Sequence, residues 1–390
     1  MPKKLFLIAG EASGDLQGAA LARRLKQLEP TLVLRGIGGP LMASEGIELL
    51  HDLTKDAVLG LGDVLRKYSL FRKVFSKALS EIRAFRPDAV ILIDYPGFNL
   101  RLAKKLNHQF KIIYYISPQI WAWGKRRIHT IKKTVDLMIV LFQFEAQLYR
   151  AAGVPVVWVG HPLIDIAQTP KPRSELRAEW LPKAPPDTKI VALLPGSRHT
   201  EVKRILPEML GVAKTVHARL PKVQFLLSEY NNLPRPLYEK ILLDAHPTYP
   251  IQSIRNRSFD VLFASDAAMV SSGTATLEAA LASTPFVILY KTAWSTFFLG
   301  RRLIQIPYIG LVNVVAGRKV VPEFIQHEIR AQTIAQETVY LLEHRDLREK
   351  MILDLKEVQG KLGAPNAAHR AAEAVLEFLG SRSGVLSSKA

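Results

Sequence analysis

Ala267-Ala268-Met269-Val270-Ser271-Ser272-Gly273-Thr274-Ala275-Thr276-Leu277-Glu278-Ala279-Ala280 reads as a buried strand that breaks in a Gly-containing turn and restarts as a helix. An apolar run from Val261 precedes it and the strand-like Pro285 to Tyr290 follows, so strand, turn, helix and strand succeed one another as in a parallel crossover unit. The first amides and hydroxyls of such a helix are free to hold an anion. Glu278 lies one helical turn past Thr274, which suits a nucleotide diphosphate and its ribose held together. A capped helix with a surface Glu accounts for the same residues.

The alternation extends along the chain in both directions. Leu5 to Ala9 reads as a first strand and Leu16 to Leu28 as its helix; Ala89 to Ile93, Lys111 to Ile116, Leu137 to Leu141 and Val156 to Val159 read as further buried strands. A break follows at Thr169-Pro170-Lys171-Pro172-Arg173, with more prolines from Pro182 to Pro186. Strand signals then resume at Ile190 to Leu194, Phe225 to Leu227, Val261 to Phe263, Ala267 to Val270 and Phe286 to Tyr290, and two helical stretches close the chain. The expected fold is α/β, two doubly wound Rossmann-like domains facing a cleft. The expected domains are 1–168 and 187–362, with a helix over 363–380 packing back on the first domain and a frayed tail at 381–390.

A chain of 390 residues with 48% hydrophobic content supports two sizeable cores. The absence of cysteine excludes disulfides, thiolate metal sites and a cysteine nucleophile, and is compatible with a cytosolic protein. The N-terminal apolar run has the length of a buried strand and leads at once into Glu11 and Asp15, which is not the pattern of a signal peptide. No apolar stretch is long enough to span a bilayer, so membrane contact is expected to be peripheral. A net charge of +18 points to an anionic partner.

Four turns fall at the ends of expected strands, where open α/β sheets place their ligands. Gly10-Glu11-Ala12-Ser13-Gly14-Asp15 follows the first strand; it lacks both the GxGxxG and the GxSxG spacing, and Ser13 or Asp15 capping the next helix is the plainer account. Asp94-Tyr95-Pro96-Gly97-Phe98-Asn99 follows Ile93, and a carboxylate there is either a partly desolvated base or a simple turn residue. Leu193-Leu194-Pro195-Gly196-Ser197-Arg198 adds a Gly turn with a hydroxyl and a guanidinium suited to phosphate. The fourth turn is Ser272-Gly273-Thr274. Two phosphate-type turns in the second domain and a carboxylate in the first favour nucleotide-sugar chemistry.

Taken in order, Gly10 to Asp15, Tyr115-Ile116-Ser117-Pro118-Gln119-Ile120-Trp121-Ala122-Trp123, Val159-Gly160-His161-Pro162, Leu193 to Arg198 with Glu201-Val202, and Ser272 to Glu278 resemble the lipid-A-disaccharide synthases. The likeness runs from the first strand to Asn366-Ala367-Ala368. It implies an inverting GT-B glycosyltransferase that needs no metal and no cofactor. Its donor would be UDP-2,3-diacylglucosamine and its acceptor 2,3-diacylglucosamine 1-phosphate, giving a β-1,6-linked disaccharide 1-phosphate and UDP. The ten histidines show no paired ligand spacing, in keeping with that implication. By the same resemblance Asp94 is the base, Arg198 holds the diphosphate beside Gly196 and Ser197, Glu278 holds the ribose beside Ser272, Gly273 and Thr274, and Asn313 is a substrate-side amide. Glu11, Ser13 and Asp15 form a substrate loop. Gly97 and His199 depart from the family pattern without removing a functional group. The implied setting is cytoplasmic, at the inner face of the inner membrane, and both a monomer and a homodimer exchanging C-terminal helices stay open.

From Val64 to Ile82, apolar residues recur at helical spacing among Arg66, Lys67, Arg72, Lys73 and Lys77. Acylated substrates favour contact with an anionic membrane surface here over a core-facing helix, with Trp294 to Ile304 as a second candidate. The aromatic cluster Tyr114, Tyr115, Trp121 and Trp123 reads as core before acceptor platform, and His161 as structural before proton-transferring. A UDP-sugar 2-epimerase would share the two-domain layout and the UDP turns. A nucleic-acid-binding module is disfavoured because the basic residues are spread along the whole chain, and a serine hydrolase because neither Ser13 nor Ser197 sits in a nucleophile elbow.

Overall fold

The structure, a computed structural model, describes residues 2–52, 64–167, 171–185, 187–294, 297, 302 and 306–380, with the backbone alone for 64–70 and 166. The chain divides into two compact units, Met1–Pro162 with Gly363–Ala390 and Leu163–Leu362. The first is built on seven parallel strands: β1 (Lys4–Ala9), β2 (Val33–Gly38), β3 (Glu48–Asp52), β4 (Ala89–Ile93), β5 (Lys111–Tyr115), β6 (Leu137–Val140) and β7 (Val156–Trp158). Their order is β3-β2-β1-β4-β5-β6-β7. Every residue of β4 is buried, as a parallel strand covered by helices on both faces must be.

The order reverses between β1 and β4, so the loops that follow these two strands diverge to opposite faces and leave a crevice at their carboxyl ends. The Ala367–Gly380 helix packs on the Ala12–Leu28 helix, and its small residues Ala367, Ala371 and Ala374 are buried. Phe378 adds a ring under the Lys111 ammonium at 4.9 Å. Arg370 Nε ties the start of this helix to the Val159 carbonyl at 2.9 Å.

The second unit carries β8 (Ile190–Leu194), β9 (Gln224–Glu229), β10 (Ile251–Arg255), β11 (Ala267–Ser271), β12 (Phe286–Tyr290) and β13 (Glu323–Ile325) in the order β10-β9-β8-β11-β12-β13, all parallel. Its reversal lies between β8 and β11. The helices Leu163–Ile166 and Arg173–Trp180 belong to this unit. Arg173 and Arg177 clamp Asp266 at 2.8 and 2.9 Å, and Asp266 in turn accepts the Ile190 amide at 2.8 Å where β8 begins.

Three expectations change. Val261 to Phe263 is helical, inside Ser258–Ala264, because a three-residue apolar run fits either period and here Val261, Leu262 and Ala264 bury one helical face. Three helices close the chain in place of two: Ala331–Glu343, Arg345–Lys361 and Ala367–Gly380. In the Val64–Phe85 helix, Val74, Ala78 and Ile82 are buried, and the rings of Phe71 and Phe75 meet Phe98 at 5.2 and 5.3 Å. That part of the apolar stripe faces the core, not a bilayer. The side chains of Val64, Leu65, Arg66, Lys67 and Tyr68 lie outside the described residues, as do Phe298, Leu299 and Arg301 of the second membrane candidate and the tail 381–390.

Candidate active site

At the reversal in the first unit, β1 runs through Gly10 into the Ala12–Leu28 helix and β4 runs into Asp94 and Tyr95. Asp94 and Tyr95 both hold left-handed backbone, with φ of 47° and 46°, a conformation that costs a non-glycine residue and marks sites where geometry outweighs strain. Three neighbours hold that backbone. The Asp94 amide donates to the Tyr115 carbonyl at 3.0 Å, and the Asp94 carbonyl accepts from the Tyr114 hydroxyl at 2.6 Å and from Asn99 Nδ2 at 2.8 Å. The Tyr95 ring is laid so closely on Gly10 that a Cβ there would stand 2.2 Å from the ring. Only glycine admits this contact.

Burial raises the Asp94 carboxyl to about 6, the Glu11 charge adds to the rise, and the Tyr95 amide opposes it. A carboxylate of this kind is ionised at neutral pH yet binds a proton more tightly than a surface aspartate, as a general base requires. Catalysis that uses Asp94 as base therefore falls away as pH drops through about 6. In the Glu11→Gln variant the like charge is gone and the acidic limb of the kcat/KM profile moves to lower pH; a limb that stays in place would separate Glu11 from Asp94.

Glu11 and Ser13 are exposed at this crevice. Asp15 is buried and its carboxylate accepts the amides of Gly39, Leu41 and Met42 at 2.8, 3.0 and 3.0 Å. It caps the Pro40–Ser44 helix and belongs to the scaffold beneath the loop.

In the second unit, β8 and β11 are neighbours, and their two glycine turns lie side by side: a Cβ on Gly196 would come 3.2 Å from Ser271 Oγ. Glu201 folds back on the first turn, taking the Ser197 and Arg198 amides at 3.2 and 3.3 Å and the Arg198 guanidinium at 2.9 Å. A carboxylate thus already uses the donors that a phosphate would use. The Arg198 side chain is 75% exposed and within reach of a ligand. At the second turn Gly273 has φ of 141° and open space where a Cβ would stand, and Ser272 Oγ donates to the Ile309 carbonyl at 3.1 Å. Thr274 precedes the Ala275–Leu281 helix, on which Glu278 accepts the Ser258 hydroxyl at 2.6 Å; burial raises the Glu278 carboxyl.

Asn313 is fully buried. Its Nδ2 donates to the Val321 carbonyl and Glu323 at 2.9 and 2.8 Å, while its Oδ1 accepts the Val320 and Val321 amides at 2.8 and 3.0 Å. Glu323 also takes the Ile309 and Gly310 amides, both at 3.0 Å. Asn313 and Glu323 therefore shape the loop against which Ser272 rests. Sequence reasoning missed Glu323 and Ser258, because each is joined to its partner only by the fold.

The loop after β5 lies next to Asp94. Glu145 is buried under it and accepts the Ser117 hydroxyl at 2.7 Å and the Trp121 indole at 3.0 Å; burial raises its carboxyl to about 7. Tyr114, Tyr115 and Trp121 are core residues, whereas Trp123 is 41% exposed. His161 is buried against Phe142, and burial depresses its imidazole to about 4. A groove of about 800 Å³ between the His199–Arg219 and Arg235–Ala245 helices shares only His199 with the segment around these turns. Among the described residues no cluster of three or more metal-ligating side chains occurs.

The profile of the family described as lipid-A-disaccharide synthetase matches residues 5–378. The lipid-A-disaccharide synthase of Syntrophus aciditrophicus is 42% identical over 379 residues, covering 97% of this chain and 98% of that protein. Among solved structures, a putative UDP-N-acetylglucosamine 2-epimerase from Listeria monocytogenes superposes with a TM-score of 0.67 at 13% identity, covering 97% of each chain. The calicheamicin glycosyltransferase superposes at 0.60 and 14%, covering 98% of this chain and all of the other. These two likenesses speak to the fold alone, which is GT-B.

Proposed function

The chain belongs to the lipid-A-disaccharide synthase family, and from that premise we propose how its residues divide a disaccharide-forming glycosyl transfer. The donor is UDP-2,3-diacylglucosamine and the acceptor 2,3-diacylglucosamine 1-phosphate. Asp94 takes the proton from the acceptor's 6-hydroxyl as that oxygen attacks the donor's anomeric carbon. The carbon–oxygen bond to UDP breaks on the opposite side, so the new linkage is β. The leaving diphosphate is stabilised by the Arg198 guanidinium and by the amides of Gly273 and Thr274, with Glu278 holding the ribose. Asn313, Asp15 and Glu323 keep the loops in place, and Glu11 tunes Asp94.

The observation that carries this reading is Asp94 itself, a carboxyl raised to about 6 by burial on a backbone fixed at the carboxyl end of β4. The test is turnover of defined acylated donor and acceptor in the presence of a chelator. UDP and disaccharide are expected in equal amounts at an undiminished rate; arrest by the chelator would place a metal in the mechanism. An epimerase reading, which the structural neighbours keep in view, predicts instead that UDP-N-acetylglucosamine incubated alone changes configuration at C2.

The acylated substrates and the net charge of +18 support peripheral work at an anionic bilayer, on the cytoplasmic side of the inner membrane. Among the described residues no helix is long and apolar enough to cross a membrane. Co-sedimentation with anionic vesicles that weakens as salt rises is the expected result; equal binding to neutral vesicles would remove the electrostatic part of the proposal.

A further inference from the structure

The segment Trp123-Gly124-Lys125-Arg126-Arg127 carries three consecutive cations, yet none of Lys125, Arg126 or Arg127 makes an ion pair among the described residues. Elsewhere in the same unit arginines find carboxylates, as Arg23 does with Glu45 and Arg35 with Glu48. The segment is held in place by other means. Glu145 anchors its approach through Ser117 and Trp121, Gly124 turns the chain with φ of 74°, and the Arg127 guanidinium lies over the Trp123 ring at 4.1 Å. Lys125 and Arg126 are exposed between these fixed points, beside the exposed Trp123.

Its position relates it to Asp94. β4 and β5 are paired neighbours, the Asp94 amide bonds to the Tyr115 carbonyl, and the Tyr114 hydroxyl bonds to the Asp94 carbonyl. Burial and then the Asp94 charge raise that hydroxyl's pKa, while Arg127 pulls it down, so one hydroxyl lies within the field of both groups. A cation cluster with no ion pair among the described residues, stiffened by a cation–π contact and set beside a candidate base, has the features of a phosphate site. Nothing in the donor's proposed contacts uses it, since those all lie in the second unit.

We propose that Lys125, Arg126 and Arg127 bind the phosphomonoester of the acceptor sugar, with Arg127 oriented for it by Trp123. This inference rests on the functional reading above. The phosphate on C1 and the hydroxymethyl group on C5 flank the ring oxygen of the acceptor's pyranose, so anchoring the phosphate beside Asp94 restricts which hydroxyl can reach that carboxylate. Recognition of the phosphate thereby sets which hydroxyl reacts.

The test compares the acceptor bearing the 1-phosphate with the same diacyl sugar lacking it, on the unaltered protein, on Arg127→Gln and on the Lys125→Ser/Arg126→Ser double variant. The unaltered protein should prefer the phosphorylated acceptor. Each variant should raise KM for it by roughly tenfold to a hundredfold, the range for a lost charged hydrogen bond, while changing the dephosphorylated acceptor's KM little. UDP affinity and melting temperature should hold. Equal losses on both acceptors would make the segment a loop clamp only, and a retained preference for phosphate would place its site elsewhere; either overturns the inference. Loss of anionic-vesicle binding with the phosphate preference intact would assign the cluster to a lipid surface and overturn it equally. If the unaltered protein joins neither acceptor to the donor, the functional reading fails first.

Discussion

Asp94→Asn is expected to lower kcat by about a hundredfold to ten-thousandfold, the range that general-base catalysis contributes, while UDP binding stays as it was. UDP affinity is the control, because every residue assigned to the nucleotide lies in the second unit. The same variant should melt higher at neutral pH. The folded carboxyl titrates near 6 against an ordinary value of 3.8, so ionising it costs folding free energy. The cost is absent below the ordinary value, grows as pH rises between the two and persists above about 6. Asparagine never ionises and tolerates the left-handed backbone, so the gain is on the order of 1–2 kcal/mol at pH 8 after allowing for partial solvent access, and vanishes near pH 4. Opposite movements of activity and stability are the mark of a buried catalytic carboxylate. Near-normal turnover would remove Asp94 from the role, whatever the melting curve did.

Arg198→Ala and Glu278→Ala are each expected to weaken UDP by about 1.5–3 kcal/mol, or roughly tenfold to a hundred-and-fiftyfold, as when a charged hydrogen bond is lost. Arg198 is mostly solvent-exposed, and its only carboxylate partner among the described residues is Glu201 on the same turn, so its loss should hardly move the melting temperature. Among the described residues the Glu278 carboxylate bonds Ser258 alone, which leaves an acceptor oxygen for a ribose hydroxyl. Calorimetry separates the contributions, since UMP keeps the ribose and lacks the terminal phosphate. Arg198→Ala should cost UDP more than UMP, and Glu278→Ala should cost both alike. Unchanged affinity in both variants would move the nucleotide away from these turns.

The strands that the sequence displayed are central ones, except β7, whose apolar run reads as buried but which is a half-buried sheet edge. β1, β4, β5, β6, β8, β11 and β12 are buried nearly throughout and read as unbroken apolar runs. The missed strands read differently. β3, β10 and β13 are sheet edges, where one side meets solvent and Glu48, His51, Gln252, Arg255 and Glu323 break the apolar pattern. β2 lies inside its sheet, but Arg35, Gly36 and Gly38 hide it. The four turns were legible because each ends a strong strand signal.

What the residues in those turns touch was not legible. Asp15 shares its motif with Glu11 and Ser13, yet its partners are amides at Gly39 to Met42, brought near only by the β1–β2 crossover. Asn313 is spent on the entry to β13, and Glu145 reaches a loop that lies on the next strand. No periodicity records such contacts, because they depend on which strands pair.

The product itself tests the central claim most directly. Donor and acceptor are incubated with the protein, UDP is counted, and the isolated lipid is examined by NMR for the position and configuration of the new glycosidic bond. One UDP per β-linkage to the acceptor's 6-oxygen, with the configuration at the donor's C2 retained, is the expected result. An α-linkage, attachment at another oxygen, or a donor sugar altered at C2 with no disaccharide formed would contradict it.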